Sequence, residues 1–393
     1  MNNQIGGYNT GVSNIKILQL FHKLYPNEID RMKEVEHDND LILSNPYHLE
    51  GNIYTHSMMV FKTVEFLFRY IRPEYQSESI VKMLALTHDL GKPLCTEIKD
   101  KGGVIKTSFL GHEYLSALYL VRLSKNKEFL GWLDRFKEYS EALSSVDIFD
   151  LMKLIALHTE ILRNKSFKPE HYFKGAKEHA LYEMLFKPLV HSDNLGRISE
   201  YTNVRLDNIS GWVDESPLMP SGDNINTDVE PINPDQQTLT ILVGLPCSGK
   251  DTYLTKHKLG TVFAPDNTLM MLADKEGITN YNKAFNWAVD SGIDWVAQTK
   301  NEMFNYAELS RKDVVYNATN LSRKKRKALY TRAKHLNMQV RIILFWRDPD
   351  KLFYSSPREN GKNISLDVYK KMIKTFSYPT YLECDIIENV MTP

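Results

Sequence analysis

"TLTILVGLPCSGKDTYL" (residues 238–254) decides how the second half of this chain folds. Thr238 to Val243 is a short apolar run with β-branched residues, followed at once by a glycine-bounded loop and a helical segment. A strand that turns through glycines into a helix is the setting of a phosphate-cradling loop. Gly244 and Gly249 permit close backbone approach, while the loop amides and the helix start hold phosphate oxygens. Lys250 would bridge the β- and γ-phosphates of ATP. Gly244, Ser248, Gly249, Lys250, Asp251 and Thr252 are therefore the candidate nucleotide-binding positions. One letter departs from the usual word. Asp251 stands where a Ser or Thr hydroxyl normally meets Mg²⁺. A bare carboxylate beside a triphosphate is repelled unless a cation lies between them, so Asp251 is expected to act on Mg²⁺. Thr252 offers a hydroxyl one position later, but the helix turns it away by roughly 100°. Cys247 sits inside the loop with no assigned role.

Beyond the loop, "DVVYN" (313–317) and "QVRIILFW" (339–346) are further apolar runs separated by helical segments. Strand, helix, strand, helix, strand predicts a parallel sheet with right-handed crossovers. Asp266 in "VFAPDNTL" (262–269) follows another short strand, a place for a general base or a helix N-cap. "VVYNATNLSRKKRKALYTRAKH" (314–335) then runs from strand through turn into a strongly basic helix. It starts at the carboxyl end of a strand, where α/β proteins bind ligands. Arg323 and Arg326 lie one turn apart, a spacing suited to clamping phosphates. "SSPRENGKNIS" (355–365), with Arg358 and Lys362, is a candidate lid.

Upstream the grammar is different. From about residue 14 to about residue 208, segments such as "SMMVFKTVEFLFRYI" (57–71), "SIVKMLALTHDL" (79–90) and "IFDLMKLIALHTEIL" (148–162) repeat apolar residues at three- and four-residue spacing. Alternating strand patterns are scarce there. Between the halves, residues 211–237 are rich in Pro, Asp, Asn and Ser and read as a linker. The expected plan is an all-α domain over 1–210, the linker, and an α/β domain with a parallel sheet over 238–393.

The helical half carries ionisable residues where apolar ones are expected. His56, His158 and Asp193 sit in strongly apolar helical segments, where burial of such groups needs a reason. His88 and Asp89 are adjacent, and on a helix their side chains diverge by roughly 100°. His112 lies in "LGHEY" (110–114). Any one of these histidines reads most simply as a core or surface residue. As a set they offer mixed imidazole and carboxylate ligation, which suits Mn, Fe, Co, Ni or Zn better than Ca or Mg. Two such ions held close together bind phosphate oxygens and acidify water near neutral pH. Lys92, one turn beyond His88, would neutralise phosphoryl charge.

The order His56, His88-Asp89, His112, His158, Asp193 resembles the HD-domain phosphohydrolases, as do the words "YHLEGNIYTHSMMV" (47–60), "HDLGKP" (88–93) and "GHE" (111–113). That resemblance implies one metal held by His56, His88, Asp89 and Asp193, and a second by His112 and His158 with Asp89 bridging. It also implies a substrate contact for His48, for which a helix-capping or packing role stands equally open. The ions implied are divalent transition metals such as Mn²⁺, Ni²⁺, Co²⁺ or Zn²⁺.

The second half, from "GLPCSGKDTY" through "NATNLSRKKR" to "PRENGKNISLDVYKKM", resembles the polynucleotide 5′-kinases of the P-loop phosphotransferases. The resemblance implies ATP and Mg²⁺ as cofactors, Asp266 as the base for a 5′-hydroxyl, Arg323 or Arg326 on phosphate groups, and Arg358 in the lid. Two positions depart from that pattern. The usual acid before "TN" is Asn317, and the arginine common three residues after the base is Leu269. Together the halves resemble bifunctional end-healing enzymes. Such an enzyme removes a 2′,3′-cyclic, 2′- or 3′-phosphate, phosphorylates a 5′-hydroxyl, and hands RNA or DNA ends to a nucleic-acid ligase. Three other readings share these residues: a nucleotidase fused to a nucleoside kinase, a nucleic-acid-binding protein with a decayed loop, and a signalling phosphodiesterase with a nucleotide-sensing partner domain.

Bulk properties fit either enzyme reading. The 393 residues are 42% hydrophobic and 25% charged, with 49 basic against 49 acidic side chains. Zero net charge argues against a general nucleic-acid coating protein but allows local basic patches. The three cysteines, Cys95, Cys247 and Cys384, are too few and too dispersed for a disulfide framework. No apolar run approaches the ~20 residues needed to span a membrane. The polar start "MNNQIGGYNTG" lacks a signal peptide's apolar core. A cytoplasmic protein with no membrane partner is expected.

Overall fold

The structure is a computed structural model that describes residues 12–35, 50–71, 77–100, 105–138, 141–160, 167–197, 233, 235–353 and 364–393. His48, Arg358, Lys362 and nearly all of the expected linker lie outside the described residues. Contacts divide the chain into two units: Met1–Phe167 with Phe173–Thr227, and Lys168–Tyr172 with Asp228–Pro393.

The first unit is helical. Its long helices include Asn14–Leu24, Ile53–Ile71, Glu78–Thr87, His112–Tyr119, Lys127–Lys137 and Ile148–Leu157. Two of them are buried on every side. In Glu78–Thr87 the residues Ile80, Val81, Met83, Leu84, Ala85 and Leu86 are all fully buried; in Ile148–Leu157 so are Leu151, Met152, Leu154 and Ile155. Helices buried on nearly every face belong at the centre of a core, here with Lys82, Asp150 and Lys153 buried among the apolar residues. Asp147 starts the second of these with a capping box, its carboxylate accepting from the Phe149 and Asp150 amides while Asp150 reaches back to the Asp147 amide. Both central helices stop just short of a histidine, His88 and His158.

Another helical run, Gly175–Leu181, continues through Tyr182–Phe186 into Lys187–Leu195. The middle stretch is π-helical, with the Lys187 amide donating to the Tyr182 carbonyl five residues back. Such a bulge re-aims the turns that follow it, here those bearing Asp193. A two-stranded antiparallel hairpin, β1 (Glu97–Asp100) and β2 (Ile105–Ser108), interrupts the helices. Neither strand has an apolar alternation long enough to stand out in the sequence, and β1 is largely exposed.

The second unit is α/β, with five parallel strands. They are β3 (Thr238–Val243), β4 (Thr261–Phe263), β5 (Val314–Asn317), β6 (Gln339–Trp346) and β7 (Ile386–Met391), ordered β4-β5-β3-β6-β7. β7 is an edge strand, half-buried throughout, and its "IIENVM" carries no clean alternation. β3 is central and nearly all buried, as its unbroken apolar run requires. From β3 the chain moves first to β4 and β5 on one side, then crosses to β6 on the other. The connections leaving β3 and β6 therefore splay apart at the carboxyl ends of β3 and β6, which is where open α/β sheets hold ligands. Among the described residues no helix is long and apolar enough to cross a membrane.

Candidate metal centre and phosphate loop

In the helical unit the chain gathers His56, His88, Asp89, His112, His158 and Asp193 into one buried cluster. His56 and His88 are fully buried, and Asp193, the most accessible, is 8% exposed. His56 Nε2 lies 3.0 Å from Asp193 Oδ1 and 3.6 Å from Asp89 Oδ2. His88 Nε2 lies 3.2 Å from Asp89 Oδ2 and 3.5 Å from Asp193 Oδ1. His112 Nε2 is 3.2 Å from Asp89 Oδ1. The His158 ring sits edge-on to both His88 and His112, with 5.3 Å between ring centroids in each case.

One backbone device aims three of the rings. His88 Nδ1 lies 2.7 Å from the Ala85 carbonyl, His112 Nδ1 2.7 Å from the Phe109 carbonyl, and His158 Nδ1 2.6 Å from the Ile155 carbonyl. In each the carbonyl belongs to the residue three positions earlier. An N–H on Nδ1 donating to that oxygen leaves Nε2 bare and pointed at the carboxylates. The trick works because these histidines sit at helix ends. His88 and His158 are C-cap residues, next to the last carbonyls of their helices, and the Ile155 carbonyl takes the His158 amide as well as its ring. His112 opens its helix after Gly111, whose φ of 88° turns the chain sharply.

Position at a helix end also corrects the expectation for His88 and Asp89. Their helix stops at Thr87, so the two side chains leave from a turn and converge on one centre instead of diverging. Lys92 follows at the start of a short helix and places Nζ 2.6 Å from Asp89 Oδ2, itself 5% exposed. Gly91 between them has a packing role. A Cβ there would lie 2.5 Å from the His112 carbonyl oxygen and 2.9 Å from Leu115 Cβ, so only glycine lets the His112 helix come this close.

His56 is oriented differently, and by a residue the sequence did not single out. Glu50 Oε1 lies 2.7 Å from His56 Nδ1, with both side chains buried. A carboxylate on the far nitrogen fixes the tautomer and raises the ligand strength of Nε2. Its signal was the Glu-Gly pair six residues before His56.

The donor chemistry fits divalent transition ions. The buried Nε2 atoms of His88 and His112 and Asp89 Oδ1 have no partner in hydrogen-bonding geometry, and Asp89 Oδ2 lies against the Lys92 ammonium. Two ligand triads have all donor atoms within 4.8 Å of one another: His56 with His88 and Asp193, and His88 with Asp89 and His158. His88 thus falls in both triads. Charge tells the same story. Burial disfavours a charged His88, yet the Asp89 and Asp193 carboxylates outweigh it and push the ring up to about 10. Burial and the neighbouring His112 and His88 push His158 down to about 3. Burial works against the Asp89 charge as well, but His88 and Lys92 hold that carboxylate well below its usual range. Two ionised carboxylates in a core demand positive charge beside them.

In the α/β unit the loop after β3 has the cradle geometry. Gly249 has φ 88° and Cys247 φ 61°. A Cβ on Gly249 would lie 2.6 Å from Thr392 Cγ2, and one on Gly244 would lie 2.7 Å from Ser248 Oγ. Lys250 Nζ curls over the loop, donating to the Gly244 carbonyl at 2.9 Å, the Leu245 carbonyl at 2.8 Å and Ser248 Oγ at 3.3 Å. Asp251 and Thr252 are exposed on the first turn of the helix Lys250–Lys256. Asn317, at the end of β5, donates from Nδ2 to Asp251 Oδ1 at 2.7 Å.

Asp266 is not the helix cap, since Ala264 caps Pro265–Asp274. Its Oδ1 accepts from the Tyr281 hydroxyl at 2.8 Å, a partner the sequence left unnoticed. Leu269, where an arginine was looked for, is fully buried in a core with Ala273, Ala284 and Ala288. The arginine pair splits. Arg323 is 32% exposed, its amide donating to Ser377 Oγ. Arg326 is fully buried, and its guanidinium donates to the Asn320, Leu321 and Ser377 carbonyls and to Glu383 Oε1 at 2.7 Å. That corrects the expected phosphate clamp: Arg326 pins the turn after β5 from within.

Comparison with known families accords with both sites. Residues 53–185 match the family model of the HD domain, and residues 239–378 match one described as an AAA domain. The chain carries an HD domain and a P-loop kinase-like domain. A search of curated proteins found no match. HD domains bind divalent metals and P-loop kinases use ATP with Mg²⁺, so these two domains supply the means to modify phosphates on nucleotides or nucleic acids.

Proposed function

We propose that this chain heals nucleic-acid ends. Its HD domain would remove a 2′,3′-cyclic, 2′- or 3′-phosphate, and its kinase-like domain would move the γ-phosphoryl group of ATP onto a 5′-hydroxyl. The observation that carries this reading is the coexistence, in one chain, of a buried histidine–aspartate centre and a phosphate loop with a candidate base, Asp266, in the same α/β unit.

Divalent ions, two by this reading, supply polarisation of a phosphate oxygen and an acidified water in the HD centre. His56, His88, His112 and His158 would hold them through their ring nitrogens, with Asp89 and Asp193 supplying the negative charge. Glu50 keeps His56 in the ligating tautomer, and Lys92 offers an ammonium to the phosphoryl oxygens. In the kinase reaction the loop amides and Lys250 hold the β- and γ-phosphates, with Lys250 exchanging its loop carbonyls for phosphate oxygens. Asp266 accepts the 5′-hydroxyl proton as the new P–O bond forms and the bond to the β-phosphate oxygen breaks, releasing ADP. Arg323, whose guanidinium donates to the Tyr172 hydroxyl at 2.7 Å, would turn to phosphate, and Arg358 would act from the lid. The products, a 5′-phosphate and a free 3′ end, are what a nucleic-acid ligase consumes.

The test uses an RNA strand with a 5′-hydroxyl and a 2′,3′-cyclic phosphate, with ATP, Mg²⁺ and Mn²⁺. Wild type should change both ends, Asp89→Ala only the 5′ end, and Asp266→Ala only the 3′ end. Turnover of free nucleosides or nucleotides, with both RNA ends untouched, would replace end healing by small-molecule metabolism.

A further inference from the structure

A P-loop kinase places one neutral hydroxyl and one carboxylate on its Mg²⁺: the hydroxyl follows the loop lysine, and the acid stands on a neighbouring strand. Here the residue after Lys250 is Asp251 and the residue at the end of β5 is Asn317, so both positions are irregular. Taken singly, each looks like decay. The structure shows them touching, Asn317 Nδ2 donating to Asp251 Oδ1 at 2.7 Å, although they are 66 residues apart. β5 lies directly beside β3, with Asn317 opposite Leu242, so the strand end and the helix start meet across the phosphate loop.

We infer that the two irregularities are one exchange: the metal-facing carboxylate has moved from the strand end to Asp251, and Asn317 is its neutral partner. The charge count is unchanged, since carboxylate plus amide carries the same single negative charge as hydroxyl plus carboxylate. Mg²⁺ accepts carboxylate and amide carbonyl oxygens alike. An acid at both positions would set two like charges at hydrogen-bond distance, and an acid at neither would leave the metal without an anionic protein ligand. Asn317 is the residue compatible with Asp251: its amide group donates to the carboxylate where an aspartate would repel it. The loop is altered in its parts and intact in its charge. This rests on the reading of the second unit as an ATP-using kinase, and it adds how that unit holds its cation.

The test measures binding, independent of turnover. ATP affinity of the full chain is titrated with Mg²⁺ and with EDTA, and Mn²⁺ bound in the presence of ATP is followed by electron paramagnetic resonance. Four proteins are compared: wild type, Asp251→Asn, Asn317→Asp, and the exchanged pair Asp251→Asn with Asn317→Asp. Because Asp251 is exposed, Asp251→Asn and the exchanged pair should melt like wild type without nucleotide, while Asn317→Asp, which sets two carboxylates together, should melt lower. Wild type should gain ATP affinity from Mg²⁺, each single variant should lose about tenfold or more of that gain, and the exchanged pair should recover most of it. Full Mg²⁺ dependence in Asp251→Asn, or an exchanged pair no better than the sum of its singles, overturns the exchange while leaving an ATP-binding kinase in place. Failure of wild type to bind ATP under either condition removes the kinase reading and this inference with it.

Discussion

As proposed, the two sites would solve the same problem, holding phosphate beside a metal, in opposite ways. The HD centre is made of side chains from six places spread between Glu50 and Asp193, all in the core. The phosphate loop is made of backbone from a few consecutive residues, and the acid next to it, Asp251, is exposed. In the first, carboxylates and imidazoles compensate one another's burial, beside two helices that are themselves almost wholly buried. In the second, the glycines and the sheet do the work and the side chains are few. A side-chain site should fail when an orienting group is deleted. A backbone site should fail when a group is added.

The largest expected effect follows from Glu50. Glu50→Gln keeps the shape but exchanges the carboxylate on His56 Nδ1 for an amide, so the affinity of the HD centre for Mn²⁺ or Ni²⁺ should fall by about 10- to 100-fold. Metal titration with the kinase reaction as an internal control would check it. Unchanged metal affinity would mean that the other three histidines, anchored on backbone carbonyls, suffice. Next comes Gly249→Ala. The added Cβ must avoid Thr392 and adopt φ 88°, a conformation that costs an L-residue roughly 1–2 kcal/mol. ATP affinity should drop by about tenfold, with metal binding in the HD centre untouched. Equal loss at both sites would contradict the separation drawn above.

The smallest effect concerns pH. His88 in the folded chain is raised to about 10 from its ordinary 6.5 by the neighbouring carboxylates. A raised folded value contributes stability that is fully present below pH 6.5 and is lost as pH climbs through about 10. Chelator-treated protein should therefore melt progressively lower between those limits, by a few degrees. Protein loaded with a divalent ion should not, because the cation replaces the proton, and it should instead lose metal on acidification. Melting curves across this range with and without metal distinguish the two. A flat curve for the chelated protein would show that His88 carries no linked proton.

How much of this was legible in the sequence depends on distance along the chain. The parallel sheet was readable because β3, β5 and β6 are compact apolar runs and the loop after β3 is a contiguous word. β7 and the β1–β2 hairpin were not, since edge and surface strands need no clean apolar pattern. The order of the histidines and aspartates allowed a metal centre to be suspected. Treating His88 and Asp89 as helical neighbours predicts divergence, and only the end of the helix at Thr87 brings them together.

What the sequence determined by itself is therefore what local chemistry enforces: apolar periodicity, the strand–loop–helix word around Lys250, and the presence of ligand-capable residues in apolar surroundings. Tertiary structure alone decided which nitrogen of each histidine faces the centre and that Glu50 stands behind His56. It also buried Arg326 against Glu383 while Arg323 stayed accessible, although both lie on one helix with one-turn spacing. It joined Asp251 to Asn317, two departures that mean little apart. The physical reason is the same in each case. Hydrogen-bond geometry and burial act over a few ångströms in space, and the residues they join here are separated by up to 137 positions in the chain.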